Sequence, residues 1–179
     1  PERQAIHYEN IGATAISVLT EEDFFQGSAE HLQKVKQKSS LPILRKDFII
    51  HEYQIYEARI LDADCVLLIA SILNDEQIAH FIDVARSLNL DCLMEVHDQD
   101  ELNRIESIKD VIIGVNNRNL KTFEVDISLS VKLKNSYQGD NPFVAESGIK
   151  SQEDLDYLMN NGINNFLIGE SLMRKNLQI

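Results

Sequence analysis

The stretch Thr20-Glu21-Glu22-Asp23-Phe24-Phe25-Gln26-Gly27-Ser28 follows the first apolar strand segment, 13–19, and leads into an amphipathic helix at 28–37. It lacks the spaced glycines that an open dinucleotide-binding sheet places after its first strand. That turns the reading away from a doubly wound open sheet and toward a closed (β/α) barrel.

Working outward from this loop, short β-branched or aliphatic runs recur at 13–19, 43–46, 65–69, 92–96, 111–116, 143–146 and 165–168. Between them the 3.6-residue period of a helix is found at 2–10, 28–37, 52–61, 75–88, 99–106, 127–134 and 152–160, and a further helical segment starts at Glu170. Ser28, Asn74 and Ser151 stand where helix N-caps are wanted, ahead of acid-bearing first turns, and Gly12 and Gly162 follow helices where a left-handed residue closes the last turn. Strands that are apolar throughout, alternating with helices, predict a parallel sheet covered on both faces. The expectation is an α/β fold, a (β/α)8 TIM barrel lacking its first β-strand, because the chain begins on a helix and a complete barrel takes about 250 residues. Residues 1–179 read as one domain, N-terminally incomplete, without a linker.

Composition narrows the partners. The chain is 44% hydrophobic and 26% charged, with 17 Lys and Arg against 29 Asp and Glu and a formal net charge of -12. That field repels polyanions, so nucleic acid is not an expected partner, and a bound phosphate has to be held locally by backbone N–H groups or placed cations. No apolar run approaches the roughly 20 residues of a membrane helix, and the N-terminus lacks a signal-peptide pattern, so the protein is expected in the cytoplasm with no membrane partner. Cys65 and Cys92 lie inside apolar runs and read as buried, reduced thiols. The five histidines show no metal-ligand spacing, so no metal is expected.

Barrel enzymes carry their reacting groups at the C-terminal ends of strands and in the loops beyond. Here those places hold Lys46-Asp47, Glu95, Asn116 with Arg118, Glu146-Ser147-Gly148 and Gly169-Glu170-Ser171. A partly desolvated Lys46 suits a general acid, or pairs structurally with Asp47 or Glu95. Glu95 interrupts an apolar run, where a carboxylate has to be paired or used. The cluster Asn116-Asn117-Arg118-Asn119 can orient a carboxylate or hydroxyls, or simply make a turn. Glycines after the last two strands suit a phosphate cradle, or two tight turns. Phe24, Phe25 and Phe48 offer an apolar slot for a planar ring, or a lid over the core.

Five motifs in order, Leu41-Pro42-Ile43-Leu44-Arg45-Lys46-Asp47-Phe48-Ile49-Ile50, Glu52-Tyr53-Gln54-Ile55-Tyr56-Glu57-Ala58, Gly114-Val115-Asn116-Asn117-Arg118-Asn119-Leu120-Lys121-Thr122-Phe123, Val144-Ala145-Glu146-Ser147-Gly148-Ile149 and Phe166-Leu167-Ile168-Gly169-Glu170-Ser171-Leu172-Met173-Arg174, resemble indole-3-glycerol phosphate synthase. The resemblance covers essentially the whole chain. It implies the tryptophan-pathway step that converts 1-(2-carboxyphenylamino)-1-deoxyribulose 5-phosphate into indole-3-glycerol phosphate, with loss of carbon dioxide and water and without cofactor or metal.

The resemblance makes Lys46 the general acid at the ribulose carbonyl, Glu95 a proton-transfer carboxylate and Asn116 a residue that orients hydroxyls. It places Ser147, Gly148, Gly169 and Glu170 around the phosphate, the last through its backbone N–H, with Arg118 near the substrate carboxylate and Phe25, Phe48 and Leu67 beside the ring. Family members carry Ser at position 170, so the Glu170 carboxylate is expected to turn away from the phosphate. The family's first strand ends in a catalytic Glu and Lys that nothing in this chain matches, which predicts a longer polypeptide. A monomer, or a fusion or association with a neighbouring tryptophan-pathway enzyme, fits the resemblance equally. Two other readings stand beside it: another phosphate-binding barrel enzyme of the sugar-phosphate isomerase type, using a Cys and an Asp or two Asp at strand ends, and a non-catalytic barrel fragment.

Overall fold

The aliphatic runs become strands where a parallel neighbour meets them and end where it does not. In the computed structural model, which describes residues 1–120 and 122–174, the elements are α1 (Glu2–Asn10), β1 (Ile16–Leu19), α2 (Ala29–Lys36), β2 (Ile43–Lys46), α3 (Tyr53–Ile60), β3 (Cys65–Ile69), a 3-10 turn (Ala70–Ile72), α4 (Asp75–Ser87), β4 (Asp91–Val96), α5 (Gln99–Ile105), β5 (Ile112–Asn116), α6 (Ser128–Ser136), β6 (Phe143–Glu146), α7 (Gln152–Asn160), β7 (Phe166–Leu167) and α8 (Glu170–Met173). Lys121 of the third motif lies outside the described residues. The chain forms two compact units, one of Pro1–Leu93 and one from Met94 onward, with β4 running from the first into the second.

In the first unit β1 pairs with β2 in parallel from Ile16↔Ile43 to Leu19↔Lys46, and β2 pairs with β3 at Leu44↔Cys65 and Arg45↔Val66. Helix α2 lies against β1 and β2 and buries Leu32 and Val35. Ile43, Ile55, Ala58, Val66, Leu68, Ile78, Phe81 and Ile82 are buried with them. β1 departs from the expected strand in two ways. It is shorter than 13–19, because the N–H of Ala13 donates to Tyr8 O and closes α1 through Gly12 at φ 88. It also alternates buried and exposed residues rather than burying both faces, since within its unit it pairs with β2 alone.

In the second unit β5 pairs with β6 from Ile113↔Phe143 to Asn116↔Glu146, and β6 pairs with β7 at Ala145↔Phe166 and Glu146↔Leu167. Val131, Ala145, Ile149, Leu155, Leu158 and Ile163 form its core, joined by Phe166, Ile168 and Leu172. β7 is two residues long, and just ahead of it Asn165 is tied to β6 twice, its carbonyl accepting from Ala145 N–H and its side-chain amide donating to Phe143 O.

Helix starts follow the expected chemistry. Ser28 Oγ accepts from the N–H of His31, while Asn74 with Gln77 and Ser151 with Asp154 form reciprocal capping boxes. Asp98 caps α5 in the same way, accepting from Glu101 N. Gly162 stands at φ 79 after α7. Both cysteines are unpaired by disulfide, and burial pushes both thiols up, that of the core residue Cys92 to about 12, which leaves them protonated and unreactive. Among the described residues no helix is long and apolar enough to cross a membrane.

Candidate active site

In the first unit the site residues cluster at the end of β2. Lys46 is its last residue and is half-buried, directly after Arg45, which points inward and is 4% exposed. The Arg45 guanidinium donates from Nε to Thr20 Oγ1 (3.0 Å), from Nη1 to Gln54 O (2.9 Å) and from Nη2 to Asp47 Oδ2 (3.0 Å) and Glu57 Oε2 (2.6 Å). Asp47 also accepts from Thr20 Oγ1 at 2.6 Å and from the N–H of Phe48 at 2.8 Å. Asp47 is therefore engaged with Arg45 and Thr20, and the residues flanking Lys46 are fixed by a buried network.

Three phenylalanines of this unit lie near one another. The Glu21 carboxylate accepts from the N–H groups of Asp23, Phe24 and Phe25, which curls the loop after β1. Phe25 and Phe48 then lie with ring centroids 5.9 Å apart, and Phe24 meets Phe48 edge-on at 6.4 Å. All three keep exposed ring surface, whereas Leu67 is buried within β3.

The second unit brings Glu95 and Asn116 together. Glu95 is buried near the end of β4, and its Oε1 accepts from Asn116 Nδ2, at the end of β5, at 3.1 Å. His97 adds to this pair. Its Nε2 stands 3.1 Å from Glu95 Oε1, an ion-pair distance without hydrogen-bond alignment, and its Nδ1 stands 3.1 Å from Glu101 Oε2. Burial alone would lower the imidazole pKa, but hydrogen bonding and charge from Glu101 and Glu95 outweigh it and raise it to about 9. The ring is charged at neutral pH.

The asparagine cluster divides by role. Asn116 Oδ1 accepts from the N–H of Arg118 at 3.1 Å while its amide faces Glu95. Asn117 is buried and structural: it accepts from Ser130 N and Oγ at 3.1 and 2.8 Å and donates to Ser147 O at 3.2 Å. Asn119 makes the turn, its side chain accepting from Thr122 N. Arg118 and Val125 form an antiparallel bridge across that turn.

Ser147 and Gly148 follow β6 in left-handed conformations, φ 64 and 82. The demand for glycine at 148 is packing as well as conformation, because a Cβ there would run into Val125 Cγ1. At Gly169 no such demand exists: a Cβ would meet no described atom within 4 Å. Glu170 opens α8, and its carboxylate reaches Arg118 Nη2 at 3.5 Å and Arg174 Nη2 at 3.2 Å. It is thus drawn onto the guanidinium that the family resemblance places near the substrate carboxylate. Among the described residues no three His, Cys, Asp or Glu side chains group as a metal site.

The family model "Indole-3-glycerol phosphate synthase" matches residues 1–178. The chain belongs to the indole-3-glycerol phosphate synthase family. It is 49% identical over 170 residues to the indole-3-glycerol phosphate synthase of Endomicrobium trichonymphae, covering 95% of this chain and 66% of that protein. It is 50% identical to the synthase of Ruminiclostridium cellulolyticum over 93% of this chain and 64% of that one, and 48% identical to that of Legionella pneumophila (strain Paris) over 93% and 65%. The chain thus spans just under two thirds of the length of these synthases. An N-acetylmannosamine-6-phosphate 2-epimerase from Clostridium perfringens is similar in structure, with a TM-score of 0.74 at 16% identity over 95% of this chain and 78% of that one. That likeness concerns the fold, which is a TIM barrel.

Three residues of this synthase-family chain escaped sequence reading. His97 had a signal: strand alternation puts it on the side of Glu95, and helical spacing puts it four residues before Glu101. The structural roles of Arg45 and Asn117 were not legible, since Thr20 and Glu57 for the one and Ser130 for the other lie in separate segments.

Proposed function

We propose that this chain carries the indole-3-glycerol phosphate synthase reaction, the ring closure of 1-(2-carboxyphenylamino)-1-deoxyribulose 5-phosphate with loss of carbon dioxide and water. The observation that carries the reading is the buried Glu95 carboxylate held by Asn116 at adjacent strand ends, in a chain of this family. A carboxylate there is costly unless it is put to use or fully paired, and a barrel uses such strand ends for chemistry.

In this reading Lys46 protonates the ribulose carbonyl oxygen as the anthranilate ring carbon attacks. Carbon dioxide leaves from that ring carbon and restores electrons to the ring. Glu95 moves protons during closure and dehydration, and Asn116 orients the hydroxyl groups. Arg118 meets the substrate carboxylate, and Phe25, Phe48 and Leu67 flank the aromatic ring. The phosphate takes N–H groups around Ser147, Gly148, Gly169 and Glu170, which suits a chain whose net charge of -12 offers no basic surface. The reaction is drawn without metal or cofactor, on a small phosphorylated metabolite in the cytoplasm. A monomer and a partner enzyme of the same pathway are both compatible with it.

The test is indole fluorescence after addition of the carboxyphenylamino-deoxyribulose phosphate to the intact protein, since the chain contains no Trp to mask the product. A rising indole signal that is stoichiometric with carbon dioxide release is the expected result. Substrate binding without product would point instead to a binding fragment, and absence of both would remove the synthase reading.

A further inference from the structure

His97 lies outside the residues to which the family resemblance assigns chemistry, yet its ring is held between two carboxylates of the second unit. Glu101 Oε2 accepts both the backbone N–H of His97 at 2.8 Å and the ring at Nδ1, 3.1 Å away. Glu101 is itself set by the Asp98 cap at the start of α5. The ring is largely buried, with 12% of its side-chain surface exposed, and its far nitrogen ends 3.1 Å from the Glu95 oxygen that Asn116 also holds. A carboxylate, an imidazole and a second carboxylate therefore stand in line from α5 to the end of β4.

We propose that His97, braced by Glu101, is a positioning residue that fixes the Glu95 carboxylate for proton transfer. The inference rests on the synthase reading of Glu95. One donor, the Asn116 amide, and one charged ring, that of His97, converge on the same oxygen, and together they restrict rotation of the carboxyl group. A cation beside it also favours the ionised form, which is the form that accepts a proton. The charged groups that bear on the ring are Glu95 from β4 and Glu101 from α5, while Asn116 from β5 is neutral. The raised imidazole pKa, about 9, agrees with this arrangement.

Two readouts on the intact protein test it. The first is the titration of the His97 ring, followed by proton NMR. Its midpoint is expected near 9 in the unaltered protein, and Glu95→Gln and Glu101→Gln should each lower it by about one unit or more. The second is steady-state turnover of the carboxyphenylamino-deoxyribulose phosphate. His97→Ala should lower kcat about ten- to hundredfold, the range for losing one buried partner of a charged group, with KM changed less than about threefold. His97→Gln, which keeps a polar side chain of similar reach beside Glu95 but not the charge, should recover part of that loss.

A midpoint that does not move in Glu95→Gln would overturn the proposal without any appeal to activity. So would an unchanged kcat in His97→Ala beside an inactive Glu95→Gln, or a loss in His97→Ala that His97→Gln does not relieve. Full turnover in Glu95→Gln would instead overturn the role of Glu95, and the proposal with it.

Discussion

Arg45 Nη2 lies 2.6 Å from Glu57 Oε2, joining the inner end of β2 to helix α3. The same nitrogen reaches Asp47 across the residue proposed as the acid, so Lys46 stands between Arg45 and the carboxylate that Arg45 holds. A cation buried this deeply contributes through its fork of donors, which Lys could not reproduce.

Arg45→Ala leaves Asp47, whose side chain is 11% exposed, without its cation. Removing one partner of a buried pair costs about 3–5 kcal/mol. Urea unfolding should show that loss, and Arg45→Lys should fall between. A loss below about 1 kcal/mol for Arg45→Ala would mean that water replaces the guanidinium readily.

Gly148→Ala should destabilise the protein by about 2–4 kcal/mol, combining a left-handed φ of 82 with overpacking against Val125. Val125→Ala made in the Gly148→Ala background should recover part of the loss, because only the steric share depends on that side chain. Thermal unfolding of the two single variants and the double variant measures the coupling. Strict additivity would show that Val125 is not the obstacle.

What sequence could reveal here follows the range of the interactions. The strands Ile43–Lys46, Cys65–Ile69 and Phe143–Glu146 were legible to the residue because aliphatic density and strand length coincide there. The caps Ser28, Asn74 and Ser151 were legible because their partners are three residues away. Residues 13–15 misled because strand length is set by the partner: pairing starts at Ile16, opposite the first residue of β2. At Gly148 the glycine was legible, but its cause was not, because Val125 lies 23 positions upstream and reaches it only through the turn after β5. The rim residues Lys46, Glu95, Asn116, Ser147 and Gly169 all sit at or just beyond strand ends, as the barrel rule requires. The roles of Arg45, bonded to Thr20 and Glu57, and of Asn117, bonded to Ser130 and Ser147, stayed hidden because those partners lie 12 or more positions away.

Lys46→Ala should reduce turnover at least about 10²-fold, the low end for one positioned general acid, while leaving binding of a phosphate-bearing product analogue within a few-fold. Steady-state indole fluorescence and titration calorimetry measure the two separately. Turnover that survives the substitution would take Lys46 out of the mechanism.

The Glu170 carboxylate competes with any anion for Arg118 and Arg174. Its side chain is well exposed, so the pairs are weak, on the order of 0–1 kcal/mol. Glu170→Ser should therefore tighten binding of a phosphate ligand by up to about fivefold, and the gain should shrink as salt screens the charges. Affinity unchanged at low ionic strength would show that the carboxylate does not oppose the ligand.

The His97 ring also ties stability to pH. Its folded pKa of about 9 stands above the unfolded value of about 6.5, so the folded state binds the proton more tightly. A raised pKa contributes stability that is fully present below about pH 6.5 and is lost as pH rises through about 9. The full contribution is about 3 kcal/mol, because each unit of difference corresponds to about 1.4 kcal/mol. His97→Gln cannot take up that proton, so urea midpoints of the unaltered protein should fall relative to those of His97→Gln between pH 6.5 and 9. Other groups that titrate in this window affect both proteins alike, which is why the difference between the two curves is the quantity to follow. Parallel curves would mean that the pairing of His97 with Glu101 and Glu95 does not hold the proton in solution.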